Sequence, residues 1–240
     1  MLEVKDLGLK LEGKQIFNNI SFSVDKGQIV AVCGPNGGGK TCLLRTIKGL
    51  VKQSSGSVLV DGKEQEASER LLSIGLVFQD ADVQIVGETV EKDVAFGPRN
   101  LRWSEEKIKQ STEEAIKVLG MQSYRKDRPQ ILSGGQKRCL AIAGVLAMHP
   151  QIVMMDEVFS NLDYPSVRMV LEAILKLKKE GITVVIVSHD TDLFLAHADK
   201  VLVVDNGESV FFGDTAESLD VLKQHSVHVS DIPLEKMTWL

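Results

Sequence analysis

One octapeptide limits the fold of this 240-residue chain more than any other feature: Gly34-Pro35-Asn36-Gly37-Gly38-Gly39-Lys40-Thr41. It matches G-x-x-x-x-G-K-[ST] at every fixed position. Such a loop works only where a strand feeds it and a helix leaves it. The apolar run over 28–33 reads as a buried strand ending at the loop. Leu43-Leu44, Ile47 and Leu50 then recur at helical spacing, and Gly49 with Ser54-Ser55-Gly56 marks the stop. In that setting the glycines let backbone N–H groups turn inward around phosphate oxygens, at the positive end of the helix. Lys40 is expected to reach the β- and γ-phosphates of a nucleotide, and the Thr41 hydroxyl to ligate Mg²⁺.

The remaining chain alternates in character. Segments 2–4 and 20–24 read as short strands, 57–60 as a hairpin arm before Asp61-Gly62, and 74–78 as a strand ending at Gln79. Residues 80–145 differ. Ser104 and Glu105-Glu106 open a helix with Ile108, Ala115, Ile116 and Leu119 on one face, stopped by Gly120. Ser133 opens a second helix through Leu140, Ile142, Ala143 and Leu146. This block reads as a helical subdomain inserted into an α/β core. The α/β rhythm resumes with a strand at 152–155, an amphipathic helix at 166–179 and a β-branched strand at 183–187. A hairpin of 200–204 and 209–212 closes around Asn206-Gly207. Residues 214–240 read as a polar tail of weak periodicity.

Composition excludes several classes. With 43% hydrophobic and 25% charged residues the chain is an ordinary globular protein. A net charge of -5 argues against a nucleic-acid coat, so no nucleic-acid partner is expected. Cys33, Cys42 and Cys139 form no C-x-x-C spacing and read as reduced thiols. No apolar run approaches the ~20 residues that span a bilayer. The segment Met1 to Asp6 lacks a signal-peptide pattern. A cytosolic chain reaching the membrane through a partner is expected.

Four further segments carry chemistry. An apolar strand ends in Asp156-Glu157, Gln79 closes another, His189 follows a third, and Leu132-Ser133-Gly134-Gly135-Gln136 precedes the acidic pair. Together with the glycine loop, they resemble the nucleotide-binding subunit of an ATP-binding cassette (ABC) transporter over residues 2–213. The resemblance implies a P-loop NTPase core, with a mixed sheet, flanking helices and an antiparallel β-subdomain. That core covers 1–79 and 146–213, around an α-helical signature subdomain at about 80–145, with 214–240 as a short tail.

It also implies roles. ATP and Mg²⁺ are the expected ligands, bound by Gly34, Pro35, Asn36, Gly37, Gly38, Gly39, Lys40, Thr41 and Cys42. Asp156, Thr41 and Gln79 would serve the metal, Asp156 through water. Glu157 would orient and polarise the attacking water, with Gln79 as γ-phosphate sensor and His189 as switch. Ser133, Gly134, Gly135 and Gln136 would meet the phosphate loop of a second ABC ATPase subunit, in a homodimer or a heterodimer. Asp163, after Ser160-Asn161-Leu162, would report across that interface.

Residues 78–84, 89–100 and 141–148 resemble the energy-coupling-factor (ECF) group, which includes cobalt/nickel and vitamin importers. There segments 78–84 and 89–100 form the groove that docks a transmembrane coupling protein, beside a substrate-capture membrane protein, and 141–148 matches the run after the signature. The expected location is the cytoplasmic face of the membrane, as a peripheral subunit that energises import. Another ABC importer or exporter is the alternative, as is a soluble ABC protein acting on nucleic acid or ribosomes. No heptad stretch and no second copy favours the latter.

Several positions depart from the family pattern. Leu11 stands near where an aromatic usually stacks on adenine, and Cys42 replaces a hydroxyl. Val158 replaces a proline, and Arg138-Cys139 shifts the arginine one place early. Weaker nucleotide binding with retained hydrolysis is expected. Leu234, Met237, Trp239 and Leu240 would pack on the core or a partner, or belong to a partly disordered terminus.

Overall fold

Strands β3 (Ile29–Cys33), β7 (Ile152–Asp156) and β8 (Thr183–Val187) are buried at every residue. Apolar runs of this kind suit a parallel sheet covered on both faces. A computed structural model, which describes residues 1–240, places them in a six-stranded sheet. It also contains β6 (Ile74–Val77), β9 (Lys200–Asp205) and β10 (Glu208–Asp214), in the order β10-β9-β3-β8-β7-β6. Only the β9–β10 pair is antiparallel, closed at Asn206-Gly207 with both residues at positive φ.

A second, antiparallel sheet packs on one face. It orders β2 (Lys14–Val24), β1 (Leu2–Leu11), β4 (Ser55–Val60) and β5 (Lys63–Glu64) as β2-β1-β4-β5. Its inward residues Leu2, Val4, Phe17 and Ile20 meet Val30, Val32, Val185 and Val187 of the parallel sheet. Leu43, Leu44 and Ile47 of α1 (Lys40–Lys48) join the same cluster. The alternate residues of the same strands, Ala31, Cys33, Val184 and Ile186, face a larger core on the other side. Period-two alternation thus divides the interior into two cores with the parallel sheet between them.

The larger core is roofed by helices. After α2 (Ala67–Ser73) come α3 (Val90–Val94), α4 (Phe96–Asn100), α5 (Glu105–Val118) and α6 (Gly134–Leu146), and later α7 (Tyr164–Lys179). The Ser104 side chain accepts from Lys107 N at 3.3 Å to cap α5. Ser133 and Gln136 form a reciprocal capping box at the start of α6. α6 packs against both α7 and β6, and its residues share one continuous core with β7 and β8.

Of the alternatives for the C-terminal region, packing on the core describes Met237, with Leu234 and Trp239 against it. Thr215–Gln224 forms α8, a short 3₁₀ turn covers Leu234–Lys236, and Leu222, Val227, Val229 and Met237 are buried in the larger core. Leu222 belongs to α8, and Val227, Val229 and Met237 follow it outside any helix or strand. No helix is long and apolar enough to cross a membrane.

Candidate active site

The parallel strands β3, β8, β7 and β6 all end at one edge, where open α/β sheets bind ligands. From that edge leave the glycine loop, His189, Asp156-Glu157 and Gln79. The loop wraps tightly there. Gly34 has φ 143°, and a Cβ on it would lie 1.9 Å from the Val204 carbonyl oxygen, so no side chain fits. α1 begins at Lys40 with no side-chain cap and no acid in its first turn. Its positive end therefore faces the loop without a compensating carboxylate of its own. Lys40 Nζ donates to the carbonyls of Gly34 at 2.7 Å and Pro35 at 2.9 Å. Burial lowers its pKa, while Glu157, Cys33 and Asp156 act against that shift.

Thr41 Oγ1 donates to Asp156 Oδ1 at 3.1 Å, across 115 residues of chain. Burial raises the Asp156 pKa and outweighs the Thr41 hydrogen bond that lowers it. Two hard oxygen donors side by side, rather than a cage of carboxylates, suit Mg²⁺, which keeps waters and takes its other ligands from phosphates. The donor set at Thr41 and Asp156 fits the ion.

The adjacent Glu157 sits at φ 48°, an uncommon conformation for a glutamate. Its N–H donates to the Val187 carbonyl at 2.9 Å, which pins the residue to the end of β8. His189 Nδ1 lies 2.9 Å from Glu157 Oε2, and Ser160 Oγ reaches the same oxygen at 3.5 Å. Asp190 Oδ2 stands 3.5 Å from the other ring nitrogen. The histidine ring is thus held between two carboxylates.

Lys40, Thr41, Cys42, Gln79, Glu157 and His189 meet in one cleft of about 450 Å³, together with Asn36, Gly37 and Gly39. Gly34, Pro35, Gly38 and Asp156 are not among its lining residues; Gly34 and Gly38 back onto Val204. Two apolar residues outside the sequence motifs complete the wall: Ile16 on β2 and Val187 at the end of β8. Leu11 lies at the exposed end of β1 and does not line the cleft. A short apolar residue after the Glu12-Gly13 turn carries no distinctive signal, so Ile16 could not be read from sequence.

Ser133, Gly134, Gly135 and Gln136 do not line this cleft either. Gly134 borders a second groove, of about 410 Å³, with Asp80, Asp82, Lys137, Arg138 and the 160–162 segment; Gln79 borders both grooves. A Cβ at Gly135 would meet Ser166 Cα of α7 at 2.8 Å, so this glycine permits close helix packing within the chain. Arg138 Nη1 donates to the Phe78 carbonyl at 3.1 Å, and Lys137 pairs with Asp82 at 2.7 Å. The shifted arginine therefore ties α6 to the segment that carries Gln79. Cys139 points into the core, where burial pushes its thiol up to about 12.

The fold and cleft define an ATP-binding P-loop domain. Residues 17–160 match the family model described as ABC transporter. A Pyrococcus furiosus protein described as an ABC transporter ATP-binding protein is 45% identical over 237 residues, 97% of this chain and 91% of that protein. The energy-coupling factor transporter ATP-binding protein EcfA of Methanococcus maripaludis is 37% identical over 223 residues, covering 90% and 80%. The solved structure of cbiO1 from Clostridium perfringens, part of the ABC transporter complex cbiONQ, superposes with a TM-score of 0.85. It is 32% identical, with 93% of each chain covered. The chain belongs to the ABC transporter family, as its ATPase subunit.

Proposed function

We propose that this chain hydrolyses ATP to energise solute import through a membrane-embedded ECF-type transporter. Its relatives named EcfA and cbiO1 support that branch. The observation that carries the enzymatic reading is the convergence of Lys40, Thr41, Gln79, Glu157 and His189 in one cleft, with Asp156 behind Thr41.

The glycine loop and the start of α1 hold the phosphates, and Lys40 turns from the loop carbonyls to the β- and γ-phosphates. Thr41 and Asp156 would hold Mg²⁺, which neutralises charge on the transferred phosphoryl group. Glu157 orients and polarises the attacking water. His189 fixes the Glu157 carboxylate through its 2.9 Å contact, and Gln79 links the cleft to the groove beside Gly134. That groove presents the Ser133–Gln136 helix start to the γ-phosphate bound by a second ATPase subunit. Positioning and electrostatics carry the acceleration.

A hollow of about 140 Å³ between Val86, Phe96, Gly97 and Met148 offers an apolar seat near Gln84. Val86 and Phe96 on its lining are exposed. This surface receives a helix of the transmembrane partner, which brings the subunit to the cytoplasmic face of the membrane. ATP turnover by Glu157→Gln tests the chemistry. Its kcat is expected to fall by about 10²–10⁴-fold with ATP still bound; near wild-type turnover would refute the role of Glu157. Co-purification with one transmembrane scaffold and one substrate-capture protein tests the branch.

A further inference from the structure

The switch histidine lies on a segment with little structure of its own. β8 ends at Val187, and between it and β9 the chain forms only two 3₁₀ turns, Thr191–Leu193 and Leu195–His197. Such turns make few internal hydrogen bonds of good geometry, so their position depends on what they pack against. Here that support comes from the C-terminal residues after α8. Thr191 Oγ1 donates to the His228 carbonyl at 2.8 Å, and Ser230 N donates to Asp192 Oδ1 at 3.2 Å. The Ser230 hydroxyl donates to the second Asp192 oxygen. Trp239 N donates to the Leu193 carbonyl at 3.2 Å, and Ala196 N to the Met237 carbonyl at 3.1 Å. His197 Nε2 and Thr238 Oγ1 lie 2.7 Å apart. Val227, Val229 and Met237 are buried in the same cluster as Leu193, Phe194 and Leu195.

The same stretch reaches a second functional loop. The Trp239 ring stands 5.3 Å from that of Tyr164, the first residue of α7, directly after Asp163. Residues 227–239 thus run from the His189 segment to the Asp163 segment.

We propose that residues 227–239 are a strap that holds the His189 segment in register with Glu157, making Asp192 and Ser230 positioning residues for ATP hydrolysis. This rests on the role of His189 proposed above. Asp192 stands three residues from His189 and receives both the backbone and the hydroxyl of Ser230, so it is the point where the strap grips. Releasing it lets the histidine ring drift from the 2.9 Å contact that fixes the Glu157 carboxylate. Misplacement on the ångström scale weakens catalysis while leaving the phosphate loop, and hence ATP binding, intact.

The test is steady-state ATPase kinetics of the full chain with Mg²⁺. Asp192→Ala is expected to lower kcat roughly tenfold with the KM for ATP unchanged. Asp192→Asn, which keeps an acceptor for Ser230, recovers most of the loss. In a His189→Ala background Asp192→Ala changes kcat no further, because the two act on one step. If Asp192→Ala destabilises the fold in a melting measurement, Ser230→Ala carries the same comparison with a smaller effect. Unchanged kcat in folded Asp192→Ala and Ser230→Ala overturns the strap, as does an equal loss in both backgrounds. Wild-type turnover in His189→Ala alone instead overturns the underlying role of His189.

Discussion

Cys42 occupies the third position of α1 and lines the nucleotide cleft half-exposed, whereas Cys33 and Cys139 are buried. Burial raises the pKa of both buried thiols from 9.0 to about 12. Alkylation consumes the thiolate, so exposure and pKa together select the reactive residue. At pH 8 iodoacetamide is therefore expected to label Cys42 alone in the folded chain and all three cysteines in denaturant. ATP with Mg²⁺ should slow the native reaction by covering the cleft. Mass spectrometry of labelled peptides checks this, and native labelling of Cys33 as fast as Cys42 would contradict the packing. The same scale shows what local sequence hides. Gly135 reads as a flexible approach to phosphate, yet its nearest constraint is Ser166 of the same chain. Arg138 reads as a misplaced family residue, yet it holds the Phe78 carbonyl.

At the level of elements, α1 is anchored at both ends. Lys40 opens it in the cleft, and Lys48 closes it by donating to the carbonyls of Leu71 at 2.6 Å and Ile74. Burial lowers the Lys48 pKa from 10.5 to about 8. Below pH 8 both folded and unfolded chains are protonated here, and the cost of burying the charge is fully present. Between pH 8 and 10.5 the unfolded chain binds the extra proton, so stability gains from this residue as pH rises. Compared with Lys48→Met, the wild type is expected to gain roughly 2 kcal/mol between pH 7.5 and pH 10. Urea unfolding of both proteins at pH 7.5 and pH 10 measures the difference. A gap that does not change with pH would show that Lys48 is solvated.

On the scale of the whole molecule, the chain separates its two candidate functional surfaces. Part of the phosphate loop, Lys40, Thr41 and Glu157 line one cleft, while Gly134 at the start of α6 lines another, with Gln79 in both. On the function proposed above, each site is completed by a second ATPase subunit. With its proposed water-polarising carboxylate removed, the Glu157→Gln variant is therefore expected to retain ATP and to double its mass from 26.4 kDa with ATP and Mg²⁺. Light scattering after gel filtration reads the change. A monomer at saturating ATP, alone and with a related ATPase added, would argue against the shared site.

Much of this arrangement is local physics and was legible along the chain. An apolar run, a glycine loop and a helical repeat define the β3–α1 junction, and Ser104 and Ser133 announce their helices through caps made within three residues. Asn206-Gly207 sets its hairpin in the same way. Each rests on periodicity or hydrogen bonding between near neighbours, which residue types alone determine. Tertiary structure decided the rest: Ile16 in the cleft wall, Thr41 beside Asp156, Gly135 against Ser166 and the strap beneath His189. These pairs lie from 31 to 115 residues apart where a hydrogen bond or close approach joins them. Only burying both faces of one parallel sheet brings such partners together, and no local pattern records that.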